Sequence, residues 1–444
     1  MKQVSAVCEL VNHFGQGTVV VENKQYTIPG LLLGETAIVE LQDNFKGKIV
    51  KIEKASPSRV KAPCPKYEEC GGCQLQHMSY ELQLELKTKQ VKDALERYHL
   101  DSSVLLPTLG MKDPFFYRSK VQMAISEKGP KVMAGFYEEN THKIVNVDRC
   151  YIQDDIANNI IRTSRQLMSK HKIKAYQEDK ELGLIRHIMV KRSPTTSQVL
   201  VVLITQEEKF PGRNNFVTDL RLAHPEITSI VQNVNNRKTS VVLGDFERIL
   251  YGSGKIEDEL LGKRFGISAK TFYQVNHRQT SLLYQKAIEL AKPKKEDIVL
   301  DAYAGVGTIG ILFADIVKKV IAVEINPQSV TNAIQNAKLN HVNNIRFYKD
   351  DAISFLSHLA DEDAKFDIIV FDPPRSGLET NFIQELTRLK PKKIVYISCE
   401  PMTLARDLQV IVDSGYELKR VQPVDMFPQT FHVETITLLS LKTT

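Results

Sequence analysis

The sequence lacks any apolar run of the roughly 18 residues that a membrane-spanning helix needs, which argues against a helical membrane protein. Its first residues, Met1-Lys2-Gln3-Val4, lack the apolar core of a secretory leader, so a cytoplasmic home is expected. Internal repeats and low-complexity tracts are missing too, which argues against a repeat array. Cysteine is scarce: there are six, at positions 8, 64, 70, 73, 150 and 399. A reducing compartment disfavours structural disulfides. Clustered thiols there bind metal or do chemistry. Strong net charge is also absent. A formal +6 permits a polyanionic partner without demanding one.

What is present describes a globular protein. Hydrophobic residues make up 42% and charged residues 25%, enough for an ample core. A chain of 444 residues is expected to hold two to four domains. Residues 1–57 read as a small β domain, with short apolar runs separated by turns at Gly15, Gly17, Gly30, Gly34 and Gly47. That spacing suggests a sandwich or a five-stranded OB-like barrel, either an RNA reader or a structural module. A basic stretch follows over 46–66, with Lys46, Lys48, Lys51, Lys54, Arg59, Lys61 and Lys66 against Glu53. It reads as a phosphate-binding face or a solvated linker.

Cys64, Cys70 and Cys73 fall within ten residues, with Gly71 and Gly72 allowing a tight wrap. The loop reads as one folded around metal, and Cys150 is the best fourth ligand. Four thiolates suit structural zinc or an iron–sulfur cluster. Only one CxxC pair is present, which favours a [4Fe–4S] cluster. Residues 79–99 have the pattern of an amphipathic helix. Phe115, Phe116, Tyr117, Arg118 and Lys120 form an aromatic-and-basic stretch that suits base stacking and phosphate, or a core strand. Alternating runs at 121–125, 132–136, 187–191 and 199–204 predict strands, and 154–169 and 211–224 predict helices. Together 58–264 reads as a central α+β domain carrying the cysteine cluster.

From 265 to 444, apolar strand-like runs alternate with helical stretches. This is the grammar of parallel βαβ units in a Rossmann-like α/β sheet. Asp301-Ala302-Tyr303-Ala304-Gly305-Val306-Gly307-Thr308-Ile309-Gly310 is a strand, a glycine turn and a helix start. Glu324 ends the next strand, where an acid binds ribose. NAD and S-adenosylmethionine compete for such a loop. Asp301 and Tyr303 favour S-adenosylmethionine, because an acid there cannot serve a pyrophosphate but could face a cationic amino-acid group. Asp350 and Asp351 could address adenine or cap a helix. Asp372 is held at a strand end by Pro373 and Pro374. Cys399 follows the apolar run 394–397, so it should face the crevice at the carboxyl edge of the sheet.

A thiolate, a base and a methyl donor are the three parts that methylation at C5 of uracil requires. Addition of sulfur to C6 makes C5 nucleophilic, and a base must then remove the C5 proton. Cys399 supplies the thiol. Glu434 ranks first as base and His432 second.

With these residues in hand the chain resembles the RNA 5-methyluridine methyltransferase family, most nearly its iron–sulfur members that act on 23S rRNA. The motifs that carry the resemblance are 272–276, 301–307, 372–375, 398–401 and 431–435. The resemblance implies Cys399 as nucleophile and Glu434 as base. It places Gln274, Tyr303, Thr308, Glu324, Asp351 and Asp372 around cofactor or target base. Thr308 stands where some relatives have Asn. It implies Cys64, Cys70, Cys73 and Cys150 as ligands of a [4Fe–4S] cluster, and a TRAM-like barrel over 1–57. It also implies that helix 79–99 packs on the catalytic domain. The expected partner is RNA, 23S rRNA ahead of tRNA because tRNA-specific relatives generally lack the β module and the cluster cysteines. A monomer is expected. An RNA cytosine enzyme is the more distant alternative, since such enzymes tend to use two cysteines.

Overall fold

A computed structural model describes residues 2–442 apart from 140, 179 and 240. The apolar runs of the last third form one seven-stranded sheet. Its strands are β1 (Ile298–Ala302), β2 (Lys319–Glu324), β3 (Ile345–Lys349), β4 (Ile368–Phe371), β5 (Lys393–Ser398), β6 (Tyr416–Val424) and β7 (Glu434–Leu441). Their spatial order is β3-β2-β1-β4-β5-β7-β6. β1 to β5 pair in parallel, and β7 is antiparallel to both β5 and β6. β4 is buried throughout and β5 at every residue but Lys393. That explains why these strands read as continuous apolar runs.

Two features of this order position the chemistry. The chain steps outward from β1 to β3, then crosses back to place β4 on the other side of β1. Ligands of open α/β sheets bind at such a switch point, outside the carboxyl ends of the strands. Because β7 is antiparallel, its first residue, Glu434, lies on that same edge, beside the end of β5.

The central region forms a second seven-stranded sheet. In space it runs Phe246–Tyr251, Ile227–Val234, Val199–Thr205, Ile185–Arg192, Lys120–Lys128, Lys131–Tyr137 and Ile144–Asn146. All neighbours are antiparallel except Val199–Thr205 with Ile227–Val234, which are parallel. The helices Asp155–Lys170 and Arg213–Ala223 share a core with this sheet. A hairpin of Lys255–Leu260 and Lys263–Ser268 spans the expected boundary at 264/265. Its side chains divide between two cores: Ile256 and Ile267 join the central strands, Leu260 and Phe265 the carboxyl-terminal sheet.

Of the sandwich and the OB-like barrel expected for the amino-terminal module, no closed barrel is found among the described residues. Its strands make two three-stranded sheets around Cys8, Val19, Ile28, Leu31 and Val39, joined by a bridge between Thr27 and Lys46. The basic stretch is partly consumed within the module. Arg59 donates to the fully buried Glu35 and to the Gly30 carbonyl, and Lys48 pairs with Glu40. Lys66 pairs with Glu69.

The early amphipathic stretch is helix α1 (Tyr80–Arg97), capped by Ser79, whose Oγ accepts from the Leu82 amide at 3.3 Å. Its apolar face docks on the late sheet: Val91, Ala94 and Leu95 share a core with Phe371, Tyr396 and Leu408. Burying each large apolar side chain of this kind contributes about 1.5–3 kcal/mol. Among the described residues no helix is long and apolar enough to cross a membrane.

Candidate active site

The glycine turn after β1 is built by close approach. Tyr303, Gly305 and Gly307 all have positive φ, at 64°, 55° and 81°. A Cβ on Gly307 would stand 2.9 Å from the Phe347 ring. The turn leads into helix α2 (Thr308–Ala314), whose first residue, Thr308, is nearly buried. Asp301 reaches under the turn, where Oδ2 accepts from the Gly310 amide at 2.8 Å. This corrects the expectation that Asp301 faces a ligand, since it is fully buried beneath the loop. Its Oδ1 has no partner, and burial pushes its carboxyl up to about 8.

Glu324, at the end of β2, ties the rim together. Oε2 accepts from Gly305 N at 2.9 Å and Oε1 from Asn326 N at 2.8 Å. Tyr303 packs on Phe382, with ring centres 5.4 Å apart. Asp351 is the N-cap of the helix Ala352–Asp361, its Oδ1 accepting from Ile353 N and Ser354 N at 3.0 and 3.1 Å. Of the two roles considered for it, the cap is the one seen.

The reactive groups lie across the switch point. Asp372 directly follows β4 and Cys399 directly follows β5. The register sets Ser398 opposite Thr435, so Cys399 and Glu434 sit one step beyond, side by side. Adjacent strands are about 4.8 Å apart, which puts the thiol about 10 Å along the edge from the end of β1. Glu434 is 4% exposed and its Oε2 has no partner. Burial, then the Asp372 charge, holds its carboxyl well above the usual range. Burial also pushes Asp372 up to about 7. The Cys399 thiol rises to about 11, through burial first and then the carboxylates of Glu434 and Asp372. Arg375 pulls the other way.

Arg375 Nη2 also donates toward the ring of His432, at 2.9 and 3.2 Å. Burial and the Arg375 charge push His432 down to about 4. The second-ranked base is therefore neutral at physiological pH and already occupied.

One residue escaped the sequence reading. Tyr284, on helix α3 (His277–Ala291), is buried among Asp372, Glu434, Gln274 and Asp301. Its hydroxyl is pushed far up, by burial first and then by the charges of Asp372 and Glu434. The signal was present, because Leu283, Tyr284, Ala287 and Ala291 form the apolar face of that helix, with the Tyr284 hydroxyl the one polar side-chain atom among them. The crevice thus gathers Glu324, Asp372 and Glu434 on one edge, with Asp301 buried beneath the turn. Burial raises the carboxyls of Asp301, Asp372 and Glu434, and the charge of Asp372 adds to that rise at Asp301 and Glu434. A cation brought here relieves that repulsion, whereas a pyrophosphate would aggravate it.

A separate cavity of about 350 Å³ lies at the start of the central region, lined by Cys64, Cys70, Cys73 and Cys150. Burial first, and the neighbouring thiols after it, push Cys73 up to about 12 and Cys150 to about 11. Cys8 is elsewhere, buried in the amino-terminal module. The four thiols face one space, yet among the described residues no group of three or more His, Cys, Asp or Glu stands in a metal-holding arrangement.

The model of the family tRNA (uracil-5-)-methyltransferase matches residues 79–442. An uncharacterized RNA methyltransferase from Oceanobacillus iheyensis is 42% identical, over 98% of this chain and 95% of its own length. Another, from Halalkalibacterium halodurans, is 41% identical, over 99% and 97%. The crystal structure of the Pyrococcus abyssi tRNA (uracil-54, C5)-methyltransferase in complex with S-adenosyl-L-homocysteine superposes with a TM-score of 0.79 at 28% identity. It covers 98% of this chain and 100% of its own. The acidic crevice at the switch point, a thiol beside a carboxylate on its rim and matches over nearly the whole length agree: this chain belongs to the S-adenosylmethionine-dependent RNA uracil-C5 methyltransferases.

Proposed function

We propose that the enzyme methylates C5 of a uridine in 23S rRNA through a covalent adduct between Cys399 and C6 of the ring. The observation that carries this is the β5–β7 register, which sets Cys399 and Glu434 side by side at the carboxyl edge. The Cys399 thiol gives its proton to solvent, the thiolate bonds to C6, and the C5–C6 π electrons move onto C5 and the O4 oxygen. S-adenosylmethionine supplies the methyl group, which C5 takes as the sulfonium bond breaks. Glu434 then takes the C5 proton, the C5–C6 double bond re-forms, and the thiolate leaves. Arg375 is the one charge found to favour the thiolate.

Gln274, Tyr303, Thr308, Glu324 and Asp372 are proposed to hold cofactor or target base, with Asp351 at the adenine end. The crowded carboxyls of Asp372 and Glu434 and the close turn at Gly307 fit a cationic adenosine ligand. The base must leave its stack to reach a thiol on a sheet edge. In this reading 1–57 is a TRAM-like RNA-binding module, 58–264 a central domain and 265–444 the catalytic domain, with α1 belonging structurally to the last.

Cys64, Cys70, Cys73 and Cys150 are proposed to hold a [4Fe–4S] cluster. Four thiols line one cavity, and those of Cys70, Cys73 and Cys150 are raised by burial first and then by neighbouring thiols, a donor set that a metal charge would satisfy. When bound, the cluster would tie the 64–73 loop to Cys150.

Replacing Glu434 with Gln tests the mechanism: methylated product falls and RNA-linked protein accumulates. Free product release by that variant would remove Glu434 from the role of base. A tRNA target is the second reading, favoured by one observation. A protein described as acting on tRNA covers 98% of this chain, so the early segments do not by themselves select rRNA. Mass mapping of 5-methyluridine in rRNA and tRNA from a strain lacking the gene separates the two.

A further inference from the structure

The base on β7 is reached through nine residues, 425–433, that carry no helix or strand. Their path is fixed from outside the sheet, at two anchor points. The first is Asp425, which forms a fully buried ion pair with Lys87 of α1 and accepts from Tyr80 Oη at 2.8 Å. Lys87 also donates to the Phe427 carbonyl at 3.2 Å.

The second anchor is Gln429, 2% exposed, with φ of 71°. L side chains rarely adopt that backbone, so something must hold it. Gln83 of α1 does so from both ends of its amide. Its Oε1 accepts from Gln429 N at 3.0 Å and its Nε2 donates to Gln429 Oε1 at 3.1 Å. The Gln429 carbonyl in turn accepts from Gln74 N and Leu75 N, each at 3.0 Å. These two amides follow directly on Cys73, and Gln83 Nε2 donates to the Leu75 carbonyl at 3.1 Å.

We propose that Gln83 and Gln429 are positioning residues for the base. They form one lock that aims Glu434 at the ring and transmits the set of the cysteine loop to it. The inference rests on Glu434 being the base of the proposed reaction. Glu434 has its backbone held in β7, but its side chain has no hydrogen bond on Oε2, so no partner at that oxygen aims the carboxyl. The left-handed turn at Gln429, five residues upstream, sets the direction from which the strand begins.

The test uses the full-length enzyme with Gln83→Met and Gln429→Met, singly and together, on the transcript that nucleoside mapping identifies. Thiol addition does not need the base, so each single variant should still form the adduct with 5-fluorouridine RNA at the wild-type rate. Turnover on natural RNA should fall at least tenfold with KM within twofold, and denaturation-resistant RNA–protein adduct should accumulate. The double variant should be no slower than the worse single one. Unchanged kcat in both single variants would overturn the proposal. So would loss of turnover together with loss of the fluorouridine adduct, because the lock would then be merely structural. If the wild-type enzyme formed no adduct, the covalent reading would fall instead, and positioning would still be read from kcat against KM.

Discussion

Two groups of thiols in this molecule are pushed in the same direction by different neighbours. Cys399 faces Glu434 and Asp372, so carboxylate charge adds to burial in keeping its proton on. Cys73 and Cys150 face other thiols, so burial is joined by the prospect of several sulfurs ionising together. The difference teaches what each site waits for. In the crevice a monovalent sulfonium would lower the barrier to a single thiolate. The cysteine cavity would need several positive charges at once, which is the demand that a metal centre meets. Arg375 beside Cys399 is the one charge that favours the thiolate which the proposed mechanism requires.

The comparison breaks most sharply at Cys399. Cys399→Ala should abolish methylation, a loss on the order of 10⁴-fold or more, while binding of S-adenosylmethionine by titration calorimetry stays within a few-fold. Loss of cofactor binding would mean that the thiol belongs to the cofactor pocket. Next in size, Glu434→Gln should slow product formation by about 10²–10⁴-fold. In single-turnover assays it should also lower the alkaline shift of Cys399, because one of the two opposing carboxylates is gone. In the other region, Cys73→Ser should strip the chain of iron and acid-labile sulfide after anaerobic purification. Wild-type protein is expected to carry about four irons per chain. A full iron complement in the serine variant would release Cys73 from the ligand set.

A thiol titration sharpens the contrast. Alkylation of Cys399, followed by peptide mass spectrometry, should speed up with pH toward an apparent value near 11 in the free enzyme. S-adenosylmethionine should lower that midpoint by about one to two units, the scale of one unit charge in a partly buried site. S-adenosylhomocysteine, which lacks the sulfonium, should lower it less. Equal shifts with both would show that the sulfonium charge does not reach the thiol.

The smallest effect is on stability. The Asp301 carboxyl, ordinarily at 3.8, stands at about 8 in the folded chain. The folded state therefore holds a proton that the unfolded chain releases above pH 4, and stability is lost as pH rises from about 4 to 8. Asp301→Asn keeps an acceptor for Gly310 and removes the titration. Its melting temperature should decline less between pH 5 and 8 than that of the wild type.

The two regions also differ in how far the sequence discloses them. Cys399, Asp372, Glu324 and the 305–307 turn were legible because each sits at the end of an apolar run, and strand ends in such sheets meet at one edge. Glu434 was legible by the same rule, though only the antiparallel pairing of β7 brings it to Cys399. Asp301 was misjudged because spacing does not tell whether a carboxylate lies above or beneath a turn. Tyr284 was missed because a tyrosine on an apolar helix face looks like core. At the amino terminus the sequence left a sandwich and a barrel open, since strand spacing says nothing of which edges pair, and the strands form two small sheets around one core. The Gln83–Gln429 lock joins residues 346 positions apart, and no local pattern carries such a contact.

The central claim is tested most directly by incubating the enzyme with 5-fluorouridine RNA and S-adenosylmethionine, then digesting and locating the RNA-linked peptide. Fluorine at C5 cannot leave as a proton does, so the adduct should be trapped with its nucleotide on Cys399. Methylated product with no linked peptide, or linkage at another cysteine, would contradict the account.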